Sequence, residues 1–480
     1  MRRCLVALLA VLLTGCFKVG PDYQRPQVAA PRQWRFAEPG ARDVTNLKWW
    51  EQLGDPTLNR LVTRALHGNL DLKIAVANVE QFMGLYGSTR ADLFPQIFGS
   101  ADYARRQFSL RQFDLPESFN TQDTDYARLG ASMNWELDVW GALRRANEAA
   151  RADLLSQEAF QRAVILTLVS QVAQTYIQLR TLDKNLEITQ SVVEALKEEL
   201  RIARARFEEG YTSELELNQV ESEYQRRAAL IPLAEQEIAR AEHALKVLLG
   251  ENPGPIPRGR TLDELNLPVV PAGLPSDLLS RRPDIQQAEQ ELIAANARIG
   301  VARGQYFPKI SLTGDVGQLS TQMASLFTPG ANFWTVGSSL LTPIFTAGKI
   351  AGQVQAAEAV QRGALANYQR SIISAFREFE DALVSHIKTK EQRDREADRV
   401  TAVQNYVTLA QIRYDEGYTD FITVLDSLRQ LYEAQISLLQ AQGAHFVASI
   451  QLYRAMGGGW IVKAEEAAHL PKPADAVFFP

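Results

Sequence analysis

From Ala142 to Glu209 the chain runs for 68 residues without a Gly or a Pro. At 1.5 Å of rise per residue an α-helix of that length is a rod of roughly 100 Å, which few globular domains contain. From Leu179 the apolar residues step forward as Leu182, Leu186, Val193, Leu196, Leu200, Ala203 and Phe207, in alternating threes and fours that only Thr189 interrupts. This spacing predicts a coiled-coil seam. A second, shorter seam at Ile188, Val192, Ala195, Ile202 and Ala205 lies one residue round the helix, so the apolar stripe is wide enough for neighbours on two sides. A helix in a closed ring of helices needs both.

The rest of the chain is arranged as two copies of one unit. Asn69-Leu70-Asp71-Leu72 answers to Arg282-Pro283-Asp284-Ile285, and Phe94-Pro95-Gln96-Ile97 to Phe307-Pro308-Lys309-Ile310, both at an offset of 213. Arg206-Phe207-Glu208-Glu209-Gly210-Tyr211-Thr212 answers to Arg413-Tyr414-Asp415-Glu416-Gly417-Tyr418-Thr419 at an offset of 207, so the second copy is six residues shorter between these anchors. The seam repeats as Val400, Val403, Val407, Ala410 and Tyr414. Each unit has a helix of about twenty residues, a Phe-Pro stop, two strand-like segments, a long helix, a Gly-Tyr-Thr turn and a returning helix. The first spans 49–250, with strands about 96–107 and 126–139, a long helix about 142–209 and a return about 213–249. The second spans 277–456, with strands about 309–319 and 332–345, a long helix about 348–416 and a return about 420–456. Between them, 251–276 is rich in Pro and Gly and reads as an equatorial linker; 457–480 loses its period and reads as a tail.

The strand segments alternate. Leu129, Ala131, Met133, Trp135, Leu137 and Val139 fall on one face of the second segment, and Arg128, Ser132, Asn134, Glu136 and Asp138 on the other. In the second unit Ile310, Leu312 and Val316 alternate, and Trp334, Val336 and Leu340 share a face with Ser338 between them. A pair of strands is not a stable sheet by itself. Segments of this length with one apolar and one polar face fit a transmembrane β-barrel whose outside meets lipid, with Trp135 and Trp334 among the lipid-facing residues. Four strands cannot close a barrel, and an open edge in lipid would strand backbone groups without partners, so the chain must oligomerise. The polar segments 108–125 and 319–332 are expected at the outer surface.

At the amino terminus, Arg2 and Arg3 precede an apolar run from Leu5 to Leu13, too short to span a bilayer and suited to a signal peptide over 1–15. Leu13-Thr14-Gly15-Cys16 resembles the bacterial lipobox, in which a lipid is attached to the cysteine; Phe17 in the next position favours the outer membrane over the inner. Residues 16–48 then read as a lipidated tether rich in Pro, Ala and Arg, and Trp49-Trp50 as packing anchors. Removal of the leader leaves Cys16 as the sole cysteine, so no intrachain disulfide forms, and takes the formal charge from −5 (51 basic, 56 acidic) to −7 with the loss of Arg2 and Arg3. That charge disfavours nucleic acid as a partner. His67, His243, His386, His445 and His469 have no metal-ligand spacing, and no phosphate loop or nucleophile motif occurs, so neither a metal site, a cofactor nor an enzymatic activity is expected. Gly457-Gly458-Gly459 reads as a helix terminator.

The lipobox, Trp49-Trp50, Phe94-Pro95, Trp135-Glu136-Leu137-Asp138-Val139-Trp140-Gly141, Pro343-Ile344-Phe345-Thr346-Ala347-Gly348-Lys349 and the twin Gly-Tyr-Thr turns together resemble the outer-membrane factor family. The resemblance is to the TolC and OprM type, in its lipoprotein (NodT) branch. It implies a mainly α chain with a membrane β-barrel portion, closing as a homotrimer with a 12-stranded barrel and a 12-helix α-barrel. It also implies a passive exit duct of a tripartite multidrug efflux pump, located in the outer membrane with a periplasmic adaptor (membrane fusion protein) and an inner-membrane RND-type transporter as partners. By the same resemblance, Gly210, Tyr211, Thr212, Gly417, Tyr418 and Thr419 form the tips that meet the adaptor. Ile422 and Asp426, four apart on one helix face, would form apolar and carboxylate constrictions, and three Asp426 side chains would repel one another. Arg413, Tyr414 and Asp415 are implied as links that hold the tip shut, and Thr419 stands where some members place a basic lock. The competing reading is a lipid-anchored periplasmic coiled-coil scaffold or adaptor without a pore, which has no use for four amphipathic strands.

Overall fold

A computed structural model of the chain describes residues 18–28, 48–107, 124–267, 281–457 and 461. The signal peptide, Cys16, most of the tether and nearly all of the tail lie outside the described residues, as do 108–123 and 268–280. The first repeat comprises α1 (Trp49–Gln52), α2 (Pro56–Gly68), α3 (Leu70–Ala91), β1 (Gln96–Arg106), β2 (Thr124–Leu137), α4 (Ala142–Glu208), α5 (Glu214–Ala228) and α6 (Leu230–Leu248). The second comprises α7 (Pro283–Gly304), β3 (Lys309–Ser320), β4 (Asn332–Leu341), α8 (Lys349–Asp415) and α9 (Phe421–Ala455). Among the described residues no helix is long and apolar enough to cross a membrane.

The long helices α4 and α8 have 67 residues each. The return of the first repeat differs from the single helix over 213–249 expected above. It breaks between Ala228 and Leu230, because Pro232 has no N–H to offer and its ring crowds the carbonyl four residues back. β4 stops at Leu341, short of the expected 345, two residues before Pro343.

The four strands form one antiparallel sheet in the order β1-β2-β3-β4, so the two repeats are joined by the β2–β3 ladder. Its register brings the polar positions together: Asp102 opposite Arg128, Ser132 opposite Asp315, Asn134 opposite Thr313, and Ser311 opposite Ser339. Arg128 crosses this face to donate to both Asp315 oxygens at 2.6 and 2.7 Å. The other face carries Leu129, Met133, Trp135, Leu312, Val316, Trp334, Val336 and Leu340. Trp334 on this face is exposed. Trp135 is half-buried at the helical end of the sheet, its indole N–H donating to the Leu93 carbonyl at 3.0 Å. Gly130 and Gly317 pair across the ladder, where a Cβ on either would meet opposing backbone within 3 Å. Among the described residues, β1 and β4 have no partner on their outer edges.

The main core lies at mid-height, where α1 and α2 are set against α4 and α9. Trp49 and Trp50 are buried there, Trp49 stacking on Tyr453 at 5.6 Å. Asp55 caps α2 and accepts from Tyr176 Oη at 2.6 Å and from the Arg260 N–H at 3.0 Å, which pins the irregular segment around Arg260 against α4. Above this level, residues 18–28 are held as a strap. The buried Arg145 guanidinium donates to the Val19 and Gly20 carbonyls at 3.2 Å each and to Asp22 at 2.7 Å, Asn296 reaches the Pro21 carbonyl at 2.9 Å, and Tyr23 and Arg25 both donate to Glu289. The part of the tether described here is therefore fastened along α4 and α7. Arg145→Met removes three of these bonds, and trypsin should then cut after Lys18 several-fold faster in the folded protein, as read by mass spectrometry of the released amino-terminal peptide.

Candidate functional site

The two long helices end identically. Gly210 and Gly417 take left-handed conformations (φ +76° and +78°), and the amides of Tyr211 and Tyr418 reach back to the Arg206 and Arg413 carbonyls at 2.8 and 2.7 Å. The glycine amides bond Phe207 and Tyr414 carbonyls in turn. This pairing satisfies the last carbonyls of each helix and needs a residue free of a Cβ at the turn. Ser213 then starts α5 by accepting from the Glu216 amide, and Asp420 precedes α9. Tyr211 and Tyr418 project into solvent at the very end of the molecule.

Of the three residues implied as links, one joins the repeats. Tyr414 Oη donates to Glu216 Oε1 at 3.1 Å, Arg206 Nη1 approaches the same hydroxyl at 3.3 Å, and Phe421 packs edge-on against the ring at 5.4 Å. Burial, followed by the Glu216 carboxylate, pushes the Tyr414 phenol above its usual range, so it stays a donor at any physiological pH. Thr212 donates to the other Glu216 oxygen. Arg413 is exposed and makes no ion pair among the described residues; Asp415 accepts only from Gln411 on its own helix, at 3.0 Å. Thr419 bonds Thr423 at 3.1 Å, within its own hairpin. Ile422 and Asp426 are both exposed on one face of α9, with Gln430 donating to Asp426 at 2.7 Å.

A second tie, two turns deeper, has no counterpart in the sequence reading. Glu223 on α5 is almost fully buried and accepts from Arg226, Arg227 and, across the repeats, from Arg429 on α9 at 2.7 Å. Burial works to raise its pKa, but the three guanidinium groups prevail and hold the carboxyl below its usual range. Arg227 lies 4.0 Å over the Tyr432 ring, whose hydroxyl pairs with Thr189 at 3.1 Å. Thr189, the one interruption of the apolar seam, is thus the polar rivet between α4 and α9. The Glu223-x-x-Arg226-Arg227 spacing was visible as a helical charge pair, but Arg429 is 206 residues away and nothing local announces it.

His386 and His445 also meet across α8 and α9, ring centroids 4.7 Å apart. Burial, then the neighbouring His386, Arg393 and Lys390, pushes the His445 imidazole down to about 4, so it is neutral at pH 7. Among the described residues no three potential ligands gather to hold a metal.

The sign of the Glu223 linkage follows from its depressed pKa. The stabilisation is complete above the unfolded value of about 4.3 and is lost as pH falls through the lower folded value. Glu223→Gln should therefore lower the melting temperature at pH 7, with a cost of about 3 kcal/mol, because Arg227 is left buried without its anion while the partly exposed Arg429 can turn to water. Below about pH 4.3 its curve should converge on the parent's, which differential scanning calorimetry between pH 3 and 7 would show.

A family model described as outer membrane efflux protein matches residues 61–251 and again 274–458, one match on each repeat. The chain is 36% identical over 463 residues to the solvent efflux pump outer membrane protein SrpC of Pseudomonas putida, covering 95% of this chain and 98% of that one. It is 32% identical over 458 residues to the cation efflux system protein CusC of Escherichia coli O6:H1, covering 94% and 97%. The solved structure of the Campylobacter jejuni CmeC outer membrane channel superposes with a TM-score of 0.88 at 25% identity, over 96% of this chain and all of that one. Duplicated strand pairs, twin 67-residue helices and matched glycine turns, together with these likenesses, place the chain in the outer membrane efflux protein family, as an outer-membrane efflux channel.

Proposed function

We propose that three copies of this chain assemble into a lipid-anchored exit duct of a tripartite pump, and that the tip joint described above is its gate. The observation that carries the reading is the four-stranded sheet with no partner on either outer edge among the described residues, an apolar face and a polar face crossed by the Arg128–Asp315 pair. Three such sheets joined edge to edge give twelve strands with the polar face turned inward, and Trp135 and Trp334 turned to lipid. Trp135, with its N–H satisfied at the helical end of the sheet, suits the membrane interface, where an amphipathic ring has one apolar and one wet side. Lipid on Cys16 would hold the chain to the same membrane, with the strap of residues 18–28 fixing the anchor's height relative to the sheet.

Substrate passes through without chemistry. An RND-type transporter in the inner membrane supplies the energy, and a periplasmic adaptor docks on the exposed Gly210-Tyr211-Thr212 and Gly417-Tyr418-Thr419 tips. The exposed face of Ile422 and Asp426 would line the narrowest part of the lumen, where three carboxylates gather. Within each copy the Tyr414–Glu216 bond holds α8 to α5; Arg413 and Asp415, which make no inter-repeat hydrogen bond or ion pair among the described residues, are placed to meet the next copy. Opening is then a rigid-body swing of the α8–α9 hairpin away from the α4–α5 hairpin. The relatives named for solvent and for cation efflux leave the transported class of this duct to its partner pump.

Native mass spectrometry of the detergent-solubilised protein should return a trimer; a monomer would end the reading. In planar bilayers Asp426→Ala should raise conductance several-fold by removing the constriction. Tyr414→Phe should raise it as well, by removing the bond to Glu216 without altering the lumen. Unchanged conductance in both would place the gate elsewhere.

A further inference from the structure

Between the two hairpins, next to the Glu223 cluster, lies a cavity of about 190 Å³. Val192 and Leu196 from α4, Arg227 from α5, and Leu425, Leu428 and Tyr432 from α9 form its walls. An apolar cavity of about 150 Å³ in a protein interior accepts benzene, so this one has room for a single aromatic ring. The lining is not all apolar: Gln411, Arg429 and Gln435 also border it, and so does Arg227. Arg227 is 5% exposed; its Nε is spent on Glu223, and neither terminal nitrogen has an acceptor among the described residues, Nη2 being fully enclosed.

Glu223 has nothing more to give. Both of its oxygens serve Arg226, one of them also takes Arg227, and the other takes Arg429. Three guanidinium groups thus face one carboxylate at this wall, with Glu433 near Arg226 and Glu199 at the exposed rim as the other acids. A buried guanidinium N–H without an acceptor is costly, and an anionic oxygen is the partner that relieves it best.

We infer that this cavity is a binding site for a monocyclic aromatic carboxylate, its ring among Leu196, Leu425, Leu428 and Tyr432 and its carboxylate on the Arg227 guanidinium. Because its walls come from both repeats, the site exists only while the two hairpins keep this packing. A molecule that binds one arrangement stabilises that arrangement. An aromatic acid therefore resists the swing of the α8–α9 hairpin and acts as a small-molecule brake on the tip; this consequence, unlike the binding itself, rests on the duct reading.

The test uses the full-length protein in detergent with 4-bromobenzoate as probe and 4-bromobenzyl alcohol as its neutral counterpart. Anomalous diffraction from co-crystals should place bromine in the cavity, and ligand-observed NMR should show the acid binding at least about tenfold tighter than the alcohol, as one charge-assisted hydrogen bond predicts. Arg227→Met should abolish that preference while leaving Glu223 two arginines. Leu428→Trp, which fills the space and keeps the guanidinium, should abolish binding of both compounds and decides the matter if Arg227→Met fails to fold. No bromine in the cavity, equal affinity for acid and alcohol, or acid binding that survives Leu428→Trp would each overturn the site. With bromine seated there, bilayer conductance that does not fall on adding the acid would overturn the brake and leave the site intact.

Discussion

A β-strand in lipid has nowhere to turn for a missing hydrogen bond, and the two outer edges of this sheet are the constraint on which the rest of the structure depends. In water an unpaired edge is a nuisance that charge or a bulge can blunt; in hydrocarbon each unpaired group costs several kcal/mol. Closure through other copies is the remedy for a sheet of four strands. Closure in turn fixes the angle each copy occupies, and the helices hung beneath the sheet must tile the same arc. That is why α4 needs apolar positions on more than one side: Val193, Leu196 and Leu200 are buried within the chain, while Ala195 and Ala205 of the second seam remain exposed in a single copy.

The distribution of polar contacts follows the same logic. At mid-height, which the proposed swing leaves in place, the helices are riveted by a large apolar core and by buried bonds such as Asp55 to Tyr176. At the tip the apolar cluster shrinks to Leu200, Ala203 and Val220 with a few half-buried neighbours, and the repeats are tied instead by Tyr414–Glu216 and Glu223–Arg429. Apolar packing is non-directional and survives small slips, whereas a hydrogen-bonded ion pair is either made or broken. A joint held by a few directional bonds has discrete arrangements, which a gate needs and a continuous apolar seam does not supply.

Much of this was legible in the amino-acid order because it is periodic or repeated. The 3-4 spacing gave the rod, the two-residue alternation gave the sheet faces, and the offset between Phe94-Pro95 and Phe307-Pro308 gave the duplication. What stayed hidden was contact between residues far apart in sequence. Arg429 carries no mark that it reaches Glu223, and Arg145 looks like one more basic residue on a long helix although it is buried and grips the Val19 and Gly20 carbonyls. The strap itself reads as a loose tether because half of its contacts run through backbone carbonyls, which have no side-chain signature, and those of Asp22, Tyr23 and Arg25 go to partners more than 100 residues away. Thr189 was the exception: a break in an otherwise regular seam did mark a polar contact between helices, with Tyr432.

The unequal lengths of the repeats locate where the architecture is rigid. Between corresponding anchors the second copy is six residues shorter, yet α4 and α8 both have 67 residues. The difference lies entirely above the helices: 17 residues connect β1 to β2, but 11 connect β3 to β4. A helix in a ring must reach the same depth as its neighbours, and one residue more or fewer would rotate every later side chain by about 100° and carry the apolar stripe off its seam. A connection at the free end of a hairpin has no such register to keep. Divergence of the two halves was therefore admitted at the hairpin ends and excluded from the rods, as expected if helix length is set by a common distance that both must span.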